Sequence, residues 1–420
     1  KCVRTQDIDE VGDKTHDTFF EMLGNFSFGG YWKKEAIQYG YDFITKELGL
    51  KIDYISVFEG DAETPADDES REIWKSIDSN LTIKNHNRAD NFWGPTGDEG
   101  PCGPTTEIYI NGVEIWNIVF NEFYKSRDGK FTPLETKGVD TGMGLERLVM
   151  ALQEKDNIFD TDLFVSIMNY LDQISDSSDI KAKRIIADHI RTATFMIIDG
   201  VLPSNTDRGY VLRRLIRRAR YYLNSIGAED KRLGTINNTI PEVYKNTNYL
   251  VGQNINKIDL VITDEETHFS ATLLFGKKML EKIIKENGRI SGEAMFLLYS
   301  SYGYPFELIK EIAKENNIEV DESDFLMRKQ QHKELSRSGS EQKFKGGLAN
   351  HNPETIKLHT AHHLLLSALQ SVLGKSVKQK GSNITDERLR IDFLFERKMT
   401  DEEKQKVEEL VNEYIKKNLN

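Results

Sequence analysis

Apolar and polar positions change their period along this chain, and each period predicts a different element. Thr18 to Phe28 is an aromatic-rich run bounded by Gly29-Gly30, the pattern of a buried strand. Lys33 to Leu48 then carries helical spacing. Thr106–Ile110 and Val113–Phe123 read as two strands around Asn111-Gly112, a dipeptide that favours a tight hairpin. Arg4 to His16 is expected to loop between two further strands. Strands joined by hairpins, with helices gathered elsewhere, predict an antiparallel α+β fold instead of a doubly wound parallel sheet. From 156 to 335 apolar residues recur every three or four positions, predicting helices at Ile180–Asp199, Asp207–Leu223, Asn254–Asn287 and Pro305–Asn316. Ser336 to Pro353 has no period and reads as a linker. A helix at Thr355–Leu373, a strand at Leu389–Phe395 and a helix at Asp401–Lys417 complete the chain.

Composition narrows the class. The 420 residues allow two to four domains at roughly 150 residues each. With 38% hydrophobic and 30% charged residues, the chain is expected to be a soluble globular protein. No run approaches the roughly 18 apolar residues of a membrane span, so no membrane partner is expected. Lys1-Cys2-Val3-Arg4-Thr5 lacks the apolar core of a signal peptide and is expected to lie inside a domain. Two cysteines, Cys2 and Cys102, make neither a disulfide framework nor a cysteine-rich zinc site, which fits the cytoplasm.

Net charge is −12, which argues against simple coating of nucleic acid. Its distribution says more. Residues 181–225 hold ten Lys and Arg against three Asp and Glu, while 51–79 hold three against nine. A basic segment inside an acidic protein is a candidate polyanion site. Arg213, Arg214, Arg217 and Arg218 stand at one-, three- and four-residue offsets and cannot all face one way. Some are expected to pair with the protein's own acids, and one or two to meet the phosphates of a polyanion.

The richest stretch is Gly138 to Leu148, read as a strand end, a glycine turn and a helix continuing to Gln153. Gly142 and Gly144 allow a close backbone approach to a ligand. Asp140 at the strand end suits a protonated amine, and Arg147 at the helix start suits phosphate. An amine reader beside a phosphate reader suggests activation of an amino acid by ATP; a plain strand–turn–helix corner is the alternative. Asp98 and Glu107, flanking a turn-rich stretch over 97–104, are candidate Mg²⁺ ligands. Gly374-Lys375-Ser376 is not a phosphate loop, because Leu369 occupies the position of its first glycine. His359 and His363 are four apart on a predicted helix and can share a metal, with His362 off their face.

Several of these stretches together resemble the alanyl-tRNA synthetase family: Thr18–Lys33, Asn91-Phe92-Trp93, Gly97–Pro104, Glu114–Phe120, Val139–Arg147, Pro203-Ser204-Asn205, Arg208–Arg214 and His359–His363. The resemblance covers essentially the whole chain. It implies a class II catalytic domain at 1–155 lacking its N-terminal part, a helical tRNA-binding domain at 156–335, a linker at 336–353 and a partial editing domain at 354–420. Residue by residue, Arg4 matches the arginine on the ATP α-phosphate, Phe20 the aromatic against adenine, and Arg147 the arginine near the γ-phosphate, with Gly144 beside them. Trp93, Val119, Asp140 and Gly142 match the alanine pocket, with Asp140 on the ammonium. Asn205 matches the reader of a G·U pair in the acceptor stem of alanine tRNA. Ser300 stands where many members carry the aspartate that assists it. His359 and His363 match two zinc ligands of editing, whose remaining ligands have no counterpart here, so tight zinc binding by this chain is not expected. The implied reaction joins L-alanine to tRNA through alanyl-adenylate, with Mg²⁺ accompanying ATP and Zn²⁺ serving the complete editing domain. A non-catalytic tRNA-binding scaffold and an editing hydrolase stand as alternatives.

Overall fold

The Asn111-Gly112 turn closes the central hairpin with φ values of 51° and 76°, the pair of positive angles a two-residue type I′ connection needs. Its strands, Gly100–Ile110 and Val113–Lys125, are joined antiparallel by Phe131–Gly144. The eight-stranded sheet runs in the order Met22–Leu23, Phe131–Gly144, Val113–Lys125, Gly100–Ile110, Tyr54–Phe58, Ile83–His86, with Ser27–Phe28 and Phe92–Trp93 as short additions. All pairs are antiparallel except Tyr54–Phe58 with Ile83–His86. The α+β expectation holds.

This computed structural model describes every residue except Thr96, Gly288, 342–352, Ser376, 385–388, Leu394, Glu396 and 418–420. Most of the expected linker, and Ser376 of the rejected phosphate loop, therefore lie outside the described residues.

One face of the sheet sets Ile108, Ile118, Phe120 and Val139 in a core with Ile37 of helix Lys33–Asp42 and Trp74 of helix Asp68–Ile77. Trp74 is fully buried, and its indole N–H donates to Thr106 Oγ1 at 2.9 Å. Its donor is thus satisfied, unlike that of Trp116 in the same core, whose buried indole N–H has no partner among the described residues. A second core joins helices Ile180–Ile198 and Asp207–Ser225 to Ile8, Val11 and Phe19 from the start of the chain. Asp179 caps the first of these helices, accepting from the Ala182 amide at 3.0 Å.

Lys1–Lys285 with Leu298–Asn316 form one compact unit, and Glu286–Leu297 with Asn317–Asn420 a second. The second has its own small core of Ala368, Leu369, Val377 and Val407, against which Ile391, Phe393, Leu410 and Val411 pack.

The α-helix expected over Lys33–Leu48 ends at Asp42, strand Gln379–Ile384 was not expected, and two further elements depart from expectation. Thr18–Phe28 is not one buried strand but three two-residue strands, Phe19–Phe20, Met22–Leu23 and Ser27–Phe28. Ser27 turns inward, its Oγ donating to the Tyr31 carbonyl at 2.7 Å, which leaves Phe26 and Phe28 exposed. Helix Glu322–Glu341 runs six residues into the expected linker. A helix without an apolar stripe leaves no periodic signal to read.

Candidate active site

Sheet register assembles the site. Asp140 lies opposite Val119, and Val119 opposite Thr105; Gly142 lies opposite Asn117, and Asn117 opposite Glu107. Positions two apart on a strand share a face. Glu107, Asn117, Val119, Asp140 and Gly142 therefore stand together, on the face away from Ile108, Ile118 and Val139. Trp93 enters from a short strand paired with Gly103. That glycine is required: a Cβ there would lie 1.8 Å from the Phe120 carbonyl oxygen. Arg4 follows the short strand Cys2–Val3 and Phe20 ends its antiparallel partner Phe19–Phe20, and the segment between them closes through the Arg4 amide on the Thr18 carbonyl at 2.9 Å.

These residues line a cavity of about 330 Å³ that includes Arg4, Phe20, Trp93, Val119, Asp140, Gly142, Gly144 and Arg147. All eight residues singled out for ATP and alanine are thus brought to one place. The local structure corrects one detail. Phe131–Gly144 continues as a strand through both glycines, and helix Leu145–Leu152 follows directly. Asp140 sits within the strand, not at its end, and no glycine turn intervenes. A Cβ on Gly144 would meet nothing within 4 Å, so its backbone borders open space.

The charges are arranged in opposed sets. The Arg4 guanidinium lies 5.1 Å from the Phe20 ring centre and 3.4 Å from Asp7. Arg147 donates to the Glu114 carbonyl at 3.2 Å and to its carboxylate at 3.3 Å. Burial alone raises the Asp140 carboxyl above its ordinary range. Glu107 accepts from Tyr109 Oη at 2.7 Å, Ser56 Oγ at 3.0 Å and Asn117 Nδ2 at 3.1 Å. Burial first, then the nearby Glu114 charge, nevertheless push Glu107 up to about 7. Asp98 does not line the cavity, whereas Glu114 does, on the strand beside Glu107. Asp17, Asn117 and Glu146 also line it and were not foreseen as site residues. The one available signal was Asn117, a polar residue inside an apolar strand run.

Glu107 gives a test by pH. A carboxyl whose folded value exceeds its unfolded one binds more protons when folded, so its ionisation costs stability as pH rises. Between about pH 4.5 and 7 the loss should be on the order of 2–3 kcal/mol. Thermal melts of Glu107→Gln should lose that part of the slope. An identical slope in the variant would show that another group carries it.

The other candidates lie apart from the cavity. Arg213 donates to Glu265 and to the exposed Asn205. Arg214 pairs with Asp9 at 2.8 Å, and Arg217 with Glu265 at 2.7 Å. Arg218 is 1% exposed and forks onto Glu311 at 2.5 and 2.8 Å, so as placed it offers no face to a polyanion. These four of the helix's six arginines all meet the protein's own carboxylates, Arg213 and Arg217 sharing Glu265, so this part of the basic helix is largely scaffold. Ser300 is exposed on helix Gly292–Tyr302.

On helix Pro353–Leu373 the His359 and His363 ring centres are 4.8 Å apart with their planes at 64°. His362, expected off their face, has its ring 5.4 Å from that of His363, and both its nitrogens are buried without partners. Among the described residues, no three His, Cys, Asp or Glu side chains are placed to hold a metal ion. The residues described do not complete a zinc site.

The family of class II (A) tRNA synthetases matches residues 1–388. An alanine–tRNA ligase of Borreliella afzelii (strain PKo) is 43% identical across the whole chain and 76% of its own length. One from Treponema denticola is 45% identical, again across the whole chain and 76% of the relative. One from Dehalococcoides mccartyi (strain CBDB1) is 32% identical over the whole chain and 64% of the relative.

Proposed function

The chain belongs to the class II (A) tRNA synthetases, alongside alanine–tRNA ligases, and from that premise we propose how its cavity activates alanine with ATP for transfer to tRNA. The observation that carries the reading is the convergence on one cavity of Asp140, Trp93 and Val119 with Arg4, Phe20 and Arg147. Asp140 holds the alanine ammonium, while Trp93 and Val119 bound the methyl group and Gly142 leaves room for the backbone of the substrate. Phe20 stacks on adenine. Arg4 binds the α-phosphate and Arg147 the γ-phosphate, each exchanging a carboxylate partner for the ligand. ATP enters with Mg²⁺, and Glu107 and Glu114 are the carboxylates of the cavity suited to a cation that accompanies the triphosphate.

The alanine carboxylate attacks the α-phosphorus in line and pyrophosphate leaves, giving alanyl-adenylate. A ribose hydroxyl at the tRNA 3′ end then attacks the activated carbonyl and AMP leaves. The first nucleophile is already an anion at neutral pH, so positioning and charge stabilisation do more than a strong base would. We assign catalysis to 1–155, tRNA binding to 156–335 with Asn205 and the outer edge of Arg213 as contacts, and the beginning of an editing domain to 354–420. Among the described residues no helix is long and apolar enough to cross a membrane; we place the activity in the cytoplasm on the cysteine chemistry above.

Alanine-dependent exchange of pyrophosphate into ATP tests the reading. The wild-type chain should catalyse it, and Arg147→Ala should weaken the dependence on ATP about tenfold or more, the scale of a lost charge-assisted hydrogen bond. Exchange that needs no alanine, or is unaffected by Arg147→Ala, would overturn the assignment.

A further inference from the structure

The segment from Arg4 to Thr18, which carries Arg4, Asp7, His16 and Asp17 into the cavity and leads to Phe20, makes little regular structure of its own, only a 3₁₀ turn at Gln6–Asp9. Its position is set from outside. Arg218 Nη1 donates to the Ile8 carbonyl at 3.0 Å, and Arg184 Nη1 to the Asp13 carbonyl at 2.8 Å. Arg191 Nη1 reaches the Phe19 carbonyl at 2.7 Å, and Arg214 holds the Asp9 carboxylate at 2.8 Å. Asp188 accepts from the Thr18 amide at 2.7 Å and the Thr18 hydroxyl at 2.6 Å. All five side chains belong to helices Ile180–Ile198 and Asp207–Ser225. Gly12, at φ +116°, lets the segment touch the first of them: a Cβ there would lie 2.7 Å from Lys181 Cγ.

Two of these anchors are wired together. Buried His189 stands between Asp188, 2.8 Å from Nδ1, and Arg218, 2.9 Å from Nε2. A guanidinium can only donate, so Nε2 accepts and Nδ1 carries the proton that Asp188 receives. The chain Glu311–Arg218–His189–Asp188–Thr18 is thus continuous: Arg218 donates to both Glu311 and His189, and Asp188 accepts from both His189 and Thr18, the residue next to Asp17. Such charge-assisted bonds in a dry interior are strong and exacting in geometry.

We propose that Arg184, Arg214 and the Arg218–His189–Asp188 chain are positioning residues for the triphosphate site, setting Arg4 and Phe20 through the backbone of residues 4–19. These members of the basic run thereby act on ATP through the loop, and Arg213 is left as the one assigned to tRNA. The proposal rests on reading the cavity as the ATP and alanine site. It predicts a split that general destabilisation would not give, since Asp140, Val119 and Gly142 stand on the sheet and not on the segment.

The test uses the full chain. Arg184→Ala/Arg214→Ala removes the two anchors nearest the surface, and Arg218→Lys keeps charge at the buried one while losing the fork. Amide hydrogen exchange over residues 4–19, read by mass spectrometry without ligand, should accelerate in both variants while the sheet strands keep wild-type protection. The KM for ATP in pyrophosphate exchange should rise about tenfold, with the KM for alanine unchanged, and Arg184→Lys in the double variant should restore part of it. Unchanged amide exchange over 4–19 would refute the anchoring itself. Faster exchange with an unchanged KM for ATP, or equal changes for ATP and alanine, would refute the positioning role. Absence of alanine-dependent activity in the wild-type chain would instead fail the reading of the cavity, and the amide-exchange arm would still decide whether the segment is anchored.

Discussion

Arg191→Met is expected to destabilise the chain by about 3–5 kcal/mol near pH 8, the scale for stripping one partner from a buried ion pair. Arg191 is fully buried. Its guanidinium pairs with Glu146, donates to Tyr244 Oη at 2.8 Å and lies 4.7 Å from the ring centres of both Phe19 and Phe164. Methionine would fill much of that volume, so the loss reports charge more than packing. Burial already raises the Glu146 and Asp17 carboxyls, and Arg191 is the cation opposing both shifts. Without it, both folded-state values climb further. A raised carboxyl costs stability increasingly as pH climbs above its unfolded value, so the deficit should be larger at pH 8 than at pH 5. Thermal melts at the two pH values measure this. Adding Glu146→Leu should recover part of the loss, because no uncompensated carboxylate then remains at that position. A deficit independent of pH would show that the pair matters only as packing.

The fold was legible where local chemistry and tertiary packing agree. Asn111-Gly112 demanded a hairpin whatever surrounded it. The helices at Ile180, Asp207 and Asp401 start at their expected residues, because an apolar face and a polar first turn coincide there. Thr18–Phe28 departs from its pattern because aromatic composition does not by itself mean burial: Phe26 and Phe28 are exposed. A single inward serine decides which side faces the core, and only register shows which residue points inward. The residues that the resemblance points to for ATP and alanine line one cavity, but their neighbours there left no such signal. Asp17 and Glu146 join the cavity through a buried network whose partner, Arg191, lies in a distant helix. Nothing in the spacing of residues 181–225 distinguishes an arginine buried against its own carboxylates from one awaiting phosphate. The excess of positive charge there was real, yet the acids that neutralise it, Asp9, Glu146, Glu265 and Glu311, are supplied from elsewhere in the chain.

Asp140→Asn is expected to weaken alanine use in pyrophosphate exchange by roughly 10- to 150-fold, the equivalent of about 1.5–3 kcal/mol for a charge-assisted hydrogen bond. Asparagine keeps the shape and removes the charge, so the strand register with Val119 should survive and the fold should melt near the wild-type temperature. The dependence on ATP should stay within about twofold, because the residues proposed for the triphosphate reach the cavity on other segments. The same residue predicts a pH effect. Burial raises the Asp140 carboxyl, so on acidification it becomes neutral earlier than an exposed aspartate would. Its attraction for the substrate ammonium is lost with that charge, and the KM for alanine should rise as pH falls through the raised value. In Asp140→Asn this acid limb should be missing, leaving a uniformly high KM. A wild-type dependence on alanine concentration in the variant would remove Asp140 from the amine site, and leave the raised carboxyl as a property of its place in the sheet.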